Sequence, residues 1–159
     1  MDGIVVEILQ CAPAARGIPE GAAARARGVM RRKIRVVGAM IEKDGRYLIT
    51  QRPPTASLPL LWEFPGGRVE AGETDEAALA RELSEEMRIQ VAVADRVVHV
   101  EHAYEGYDID FCVYRCRLVS GEPIQHLRVH AHRWVRPEEL DQYEFPAADE
   151  KTVAKLLGL

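Results

Sequence analysis

Apolar and polar positions change rhythm several times along this chain. Val and Ile dominate from Ile34 to Ile41, and Lys43-Asp44-Gly45-Arg46 separates that run from a second apolar stretch, Tyr47 to Gln51. Two such runs around Asp-Gly predict a β-hairpin. Pro53 to Ser57 reads as a loop. The period then lengthens: Leu79, Leu83 and Met87 recur every four residues among strong helix formers. This predicts an amphipathic helix with Thr74 as its N-cap, and with Asp75 and Glu76 in the first turn, where the helix dipole favours negative charge. Val91 to Val100 alternates in part as a strand, and Asp108 to Leu118 is a strand apolar on both faces from Phe111 onward, hence central in its sheet. Gly121-Glu122-Pro123 is a turn, Val129 to Val135 a short strand, and Pro137 to Leu140 the start of a helical turn. Ala148 to Leu157 closes the chain as a helix with Val153, Leu156 and Leu157 on one side and Gly158 as its stop. Strands interleaved with two helices predict an α/β fold.

The chemistry concentrates on the polar face of the first helix. Glu82, Glu85 and Glu86 lie three and four residues apart, so their carboxylates share roughly one quadrant of the helix surface. Like charges at that spacing repel by roughly 0.2–0.5 kcal/mol per pair. A solvated surface accounts for most Glu-rich faces, but a divalent cation would turn this repulsion into ligation, since Mg²⁺ and Mn²⁺ favour oxygen ligands and share them with substrate phosphates. Arg81 reaches either Glu85, one turn on, or the acidic loop that precedes the helix.

The segment from Gly67 to Ile89, GRVEAGETDEAALARELSEEMRI, resembles the Nudix box. Gly67, Glu73, Arg81, Glu82, Leu83, Glu85, Glu86 and Ile89 fall in register with that pattern, and Arg88 stands where the family has glycine. LWEFPGGRVE at the start of the box is most similar to the MutT-type nucleoside triphosphate pyrophosphohydrolases. The resemblance implies an α/β/α sandwich with a mixed β-sheet, and Mg²⁺ as cofactor, with Mn²⁺ as a second candidate. It implies Glu85, Glu86 and the Gly66 carbonyl as metal ligands, Glu82 as ligand or general base, and Arg81 as the residue that orients Glu82. Gly67 and Glu73 take structural roles, Glu73 anchoring the loop through Arg81. A later catalytic acid is common in the family; its counterpart here, six residues before Trp134, is Arg128, and Glu101 or Glu105 are the remaining candidates. Glycine at position 88 would end the helix with positive φ, so Arg88 implies a strain on the order of 1 kcal/mol or a different exit.

In MutT-type enzymes a residue opening the last helix reads the base. Phe145-Pro146-Ala147-Ala148-Asp149 puts Asp149 in that role, with capping of the helix as the structural alternative. Arg52 is a candidate base or phosphate contact, against a surface salt bridge. Phe64 and Trp62 are candidates for base stacking, against a place in the core. His130 and His132 share one strand face but read as ordinary surface or core residues. The implied reaction is hydrolysis of (deoxy)nucleoside triphosphates to monophosphate and pyrophosphate, with 8-oxo-dGTP in nucleotide-pool sanitation as the leading substrate. (d)CTP is the runner-up, ADP-ribose and dinucleoside polyphosphates have no support outside the box, and a catalytically silent nucleotide sensor is the rival from another class.

Composition narrows the partners. The 159-residue chain has a net charge of −4, which argues against polymeric nucleic acid as a ligand but not against a nucleotide held through a metal. No apolar run reaches the ~18 residues of a membrane span. Cys11, Cys112 and Cys116 form no pairing pattern, which predicts a reducing, cytoplasmic setting. Residues 1–30, rich in Ala, Arg and Gly after a short apolar patch, read as an accessory leader, and 31–159 as the Nudix-like domain. Oligomeric state has no signature in the sequence.

Overall fold

The computed structural model describes residues 31–104 and 106–158. The leader, Cys11 and Glu105 therefore lie outside the described residues. Seven strands form one mixed sheet: β1 (Arg32–Lys43), β2 (Arg46–Gln51), β3 (Trp62–Glu63), β4 (Gly66–Arg68), β5 (Gln90–Tyr104), β6 (Tyr107–Ser120) and β7 (Ala131–Val135). Helices α1 (Asp75–Met87) and α2 (Ala147–Leu157) cover it, with a 3₁₀ turn at Pro137–Gln142.

β1 organises the sheet. One of its edges runs parallel to β6 from Arg32 to Glu42. Its other edge meets β2 only at the hairpin, where Glu42 faces Tyr47 and Lys43 faces Arg46. Asp44 and Gly45 both have positive φ, as the predicted tight turn requires. Beyond the turn β2 pairs with β7, from Tyr47–Val135 to Gln51–Ala131, and with β3 at Thr50 and Gln51. β4 takes the vacated edge of β1 at Val36 to Gly38. β1 and β2 thus diverge, and the segment Trp62 to Arg68 fills the wedge between them beneath α1.

Alternation along β1 and β6 creates two cores, one per face. Val37, Ala39, Ile41, Cys112, Tyr114 and Cys116 pack with Leu79, Leu83 and Met87 of α1. Met40, Phe111 and Val113 face the other way, onto Ala148, Val153 and Leu156 of α2. The molecule is an α/β/α sandwich. Both Cys112 and Cys116 are buried free thiols, and burial pushes Cys116 up to about 12.

Thr74 Oγ1 accepts the Ala77 N–H at 3.2 Å, so α1 begins at its predicted cap. It ends on Arg88 in the left-handed region (φ 57°, ψ 30°), whose N–H donates to the Ser84 carbonyl. Arginine therefore adopts the conformation that glycine would adopt without strain. Gly121 packs against that same corner: a Cβ on it would lie 2.4 Å from the Arg88 carbonyl oxygen. The strands differ from the sequence reading in extent: β1, β5 and β6 outrun their predicted ends, β5 reaching Tyr104 rather than Val100. β7 begins at Ala131 rather than Val129, and the His130 N–H donates to the Gln51 carbonyl just before it. β3 and β4, two and three residues long, went unread because strands that short carry no periodicity. Among the described residues no helix is long and apolar enough to cross a membrane.

Candidate active site

The site grows from the contact between α1 and β4. Gly67 lies so close to α1 that a Cβ on it would sit 2.3 Å from Glu82 Cδ, and one on Gly66 would sit 2.0 Å from the Val37 carbonyl oxygen. Two glycines in succession let the strand pass beneath the helix, and Glu82 is pressed onto it at 3% exposure. Arg81 holds the assembly together. Its Nε and Nη2 bind the two oxygens of Glu73 at 2.9 and 3.0 Å, Nη1 donates to Glu82 Oε1 at 2.8 Å, and Nη2 also donates to the Arg68 carbonyl. Between the two reaches open to it, Arg81 takes the loop; Glu85 Oε1 stays at 3.9 Å. Glu73 is held low by the Arg81 hydrogen bonds, and its Oε2 also accepts the Glu70 N–H, which closes the acidic loop.

Glu82 keeps its other oxygen, Oε2, buried and without a hydrogen-bond partner among the described residues. Burial raises its pKa despite Arg81, and Glu85 adds to the rise. Glu86 goes up much further, through burial first and then the neighbouring charges of Glu63 and Glu82. Glu85, more open, is bound by Arg128, Nη1 to Oε2 at 2.6 Å. A buried carboxylate oxygen with nothing to donate to it, beside two further carboxylates, is a group that a hard divalent cation or a proton would complete. Glu82, Glu85 and Glu86 suit such an ion in chemistry and in placement.

Sequence reasoning missed Glu63. It is the one acid in the apolar run Leu60 to Phe64, and that isolation was the available signal. β3 points it at the α1 acids and at Asp149, and burial raises its pKa while Arg52 opposes the rise. Arg52 binds Glu63 Oε2 at 2.7 Å and the Ser57 carbonyl at 2.9 Å. It is a mostly enclosed pair, not a surface bridge. Asp149 does not cap α2, whose N-cap is Pro146 without a side-chain cap bond. It is 4% exposed, accepts a long 3.5 Å bond from the Phe64 N–H, and burial together with Glu63 raises its pKa well above the ordinary carboxylate value.

The Phe64 ring is placed differently from the stacking role the sequence suggested. It is 3% exposed and stacks on Phe145 at 5.8 Å, so its ring belongs to the core and only its backbone N–H faces Asp149. Trp62 is half-buried, edge-on to Tyr143 at 5.1 Å and beneath the Arg133 guanidinium. The sequence paired His130 with His132; the structure instead hydrogen-bonds His126 to His132 at 2.7 Å. Glu101 pairs with Lys33 at 2.8 Å on the β5–β6 face. His99, Asp110 and Cys112 also gather on that face, but cations already reach them, Lys33 at Asp110 and Arg96 at Cys112.

A family profile described as the NUDIX domain matches residues 36–155. The chain is a member of the Nudix family. Its relatives place it among the MutT-type hydrolases. The CTP pyrophosphohydrolase of Escherichia coli is 38% identical over 119 residues, 73% of this chain and 85% of that one. The 8-oxo-dGTP diphosphatase of Haemophilus influenzae is 35% identical over 126 residues, 79% of this chain and 92% of that one. Among solved structures, that of the E. coli ORF135 protein superposes with a TM-score of 0.72 at 32% identity, covering 87% of this chain and 95% of that one. The matched range takes in the sandwich, the box on α1, Glu63 and Asp149.

Proposed function

We propose that this Nudix hydrolase is a Mg²⁺-dependent nucleoside triphosphate pyrophosphohydrolase that releases monophosphate and pyrophosphate, with 8-oxo-dGTP as its preferred substrate. The observation that carries the reading is Glu82 Oε2, buried and unpartnered beside Glu86 and Glu85. Glu85, Glu86 and the Gly66 carbonyl would hold the cation, which leaves Glu82 Oε2 free to serve as general base. When bound it supplies charge neutralisation at the phosphates and a lowered pKa for attacking water. Everything else rests on the chain's own groups. Arg81, fixed by Glu73, orients Glu82 so that Oε2 can accept a proton from water as its oxygen bonds to phosphorus. The bond to the departing pyrophosphate breaks in the same displacement.

Asp149 recognises the base. With its pKa raised, it is a neutral acid over a range where an ordinary aspartate is ionised, and so offers one O–H donor beside one acceptor oxygen. That pair complements the O6 and N1–H edge of an oxidised guanine. It also complements N3 and the amino group of cytosine, and this favours (d)CTP as the second reading. Arg52 supports Asp149 through Glu63 rather than by touching the nucleotide.

The test is pyrophosphate release from 8-oxo-dGTP, dGTP, dCTP, 5-methyl-dCTP and ADP-ribose, each with Mg²⁺ and with EDTA. Metal-dependent turnover fastest on 8-oxo-dGTP supports the reading, and fastest on the cytosine nucleotides supports the second. Binding of a triphosphate without turnover of any member overturns both in favour of a sensor.

A further inference from the structure

Three of the arginines around the carboxylates are hydrogen-bonded to acids, and they are not held alike. Arg81 spends its guanidinium on Glu73, Glu82 and the Arg68 carbonyl. Arg52 spends its own on Glu63, the Ser57 carbonyl and the Ser57 hydroxyl. Arg128 differs. Among the described residues its one side-chain hydrogen bond is to Glu85, and both partners are open to water, at 49% and 38% side-chain exposure. Four of its five N–H donors are uncommitted there.

Its backbone, by contrast, is fixed. The Leu127 and Arg128 N–H groups both donate to the Glu86 carbonyl, at 2.9 and 3.2 Å, and the Gln125 N–H donates to the Met87 carbonyl. The His126–His132 bond ties the same loop to β7. The loop thus caps the last turn of α1 and sets Arg128 where its charge acts on Glu82 and Glu86 as well as Glu85. A guanidinium with a single partner, on a hydrogen-bonded backbone, stands over the carboxylate face of the helix.

We propose that Arg128 is a resident counter-ion of the Glu82–Glu85–Glu86 site that yields Glu85 to the divalent cation and then binds the phosphates of the substrate. The inference rests on the metal-dependent reading above and deepens it. An ion pair open to water contributes little stability, so a doubly charged ion displaces Arg128 from Glu85 easily. Once released, the planar fork remains tethered beside the site and matches phosphate oxygens in pairs. Arg128 therefore competes with metal in the empty enzyme and cooperates with it once phosphates arrive. The position six residues before Trp134, where the family resemblance implies an acid, holds a phosphate-binding cation instead.

Two binding titrations test this without turnover: Mn²⁺ followed by electron paramagnetic resonance, then inorganic pyrophosphate added to the Mn²⁺-loaded protein. In Arg128→Gln, Mn²⁺ binds about two- to fivefold more tightly, the release expected from removing an exposed competing pair. Pyrophosphate then binds at least about tenfold more weakly, the order expected for loss of a charge-assisted bidentate contact. Arg128→Lys retains the charge but not the fork, and falls between Gln and wild type for pyrophosphate. Mn²⁺ affinity and pyrophosphate affinity both unchanged in Arg128→Gln, with Mn²⁺ binding still lost in Glu86→Gln, overturn the role of Arg128 alone. No Mn²⁺ bound by the wild type, or binding indifferent to Glu86→Gln, overturns the metal-site reading and this inference with it.

Discussion

Helix α1 encloses one carboxylate in its first turn and two in its second half, and the chain treats the two groups differently. Asp75, in the first turn, receives the Arg35 guanidinium at 2.7 Å and the Tyr114 hydroxyl at 2.5 Å, both on Oδ2. Its charge is balanced inside the chain, and the N-terminal dipole adds to that balance, although Oδ1 lacks a partner. Glu82 and Glu86, two turns on, are enclosed among other acids, and their pKa values rise. Asp75 is a carboxylate the fold needs, and the chain supplies its partners. Glu82 and Glu86 are given no such balance by the chain, and the proposed cation would supply it.

The sharpest way to break this contrast is Glu86→Gln. Metal-dependent turnover should fall by about 10²-fold or more, the scale of losing a metal-site group. Stability of the metal-free protein should hold or rise by about 1 kcal/mol, because a buried charge is removed. A destabilised variant in urea titration would place Glu86 in the same class as Asp75. Asp75→Asn is the opposite arm. It should destabilise the fold by about 1–3 kcal/mol, since Arg35 and Tyr114 lose their charged acceptor, while kcat per folded molecule stays at the wild-type value.

Asp149 extends the comparison to α2. Its folded-state pKa lies above the unfolded value, so the fold favours the protonated form. Its contribution to stability is thus fullest at acid pH and is lost as pH rises through the raised value. Asp149→Asn cannot ionise, so melts in a pH series should show it gaining on the wild type by about 1 kcal/mol from pH 5 to pH 7. A gain in the reverse direction would mean that Asp149 is ionised and paired. The smallest effect concerns the far end of α1. Arg88→Gly should raise stability by about 0.5–1 kcal/mol in a denaturant titration, because glycine takes the left-handed conformation without strain. It should leave kcat unaltered.

What the sequence made legible follows from which signals are local. The α1 periodicity, the Thr74 cap, the Asp44-Gly45 turn and the spacing of Glu82, Glu85 and Glu86 are all set by neighbours within a few residues, and the structure reproduces them. Glu63 carried only the faint signal of its isolation, because its companions, Glu86 and Asp149, come from two other elements. The pairing of His126 with His132 was hidden for a related reason: a loop folds back to make it, whereas strand alternation pointed to His130. Phe64 reads as a stacking candidate from its position beside the box, and only the two-sided packing of the sheet shows its ring turned into the core. Arg88 was legible as an anomaly, but which of its two resolutions the chain adopts depended on Gly121 and the loop packed on the corner.

The parallel pairing of β1 with β6 also bears on the order in which the molecule assembles. The β1–β2 hairpin and α1 are made of near neighbours in the chain, while β1 must wait for β6, which is synthesised after the whole box helix and β5. Pairings so distant in sequence are slow to form, because the intervening loop must close before any contact rewards it. The glutamates of α1 can be displayed early on a helix of their own, but Glu63 and Asp149 join them only after the sheet has closed and α2 has docked. A cation-binding signal and a base-selectivity signal should therefore appear at different times during refolding, with selectivity last.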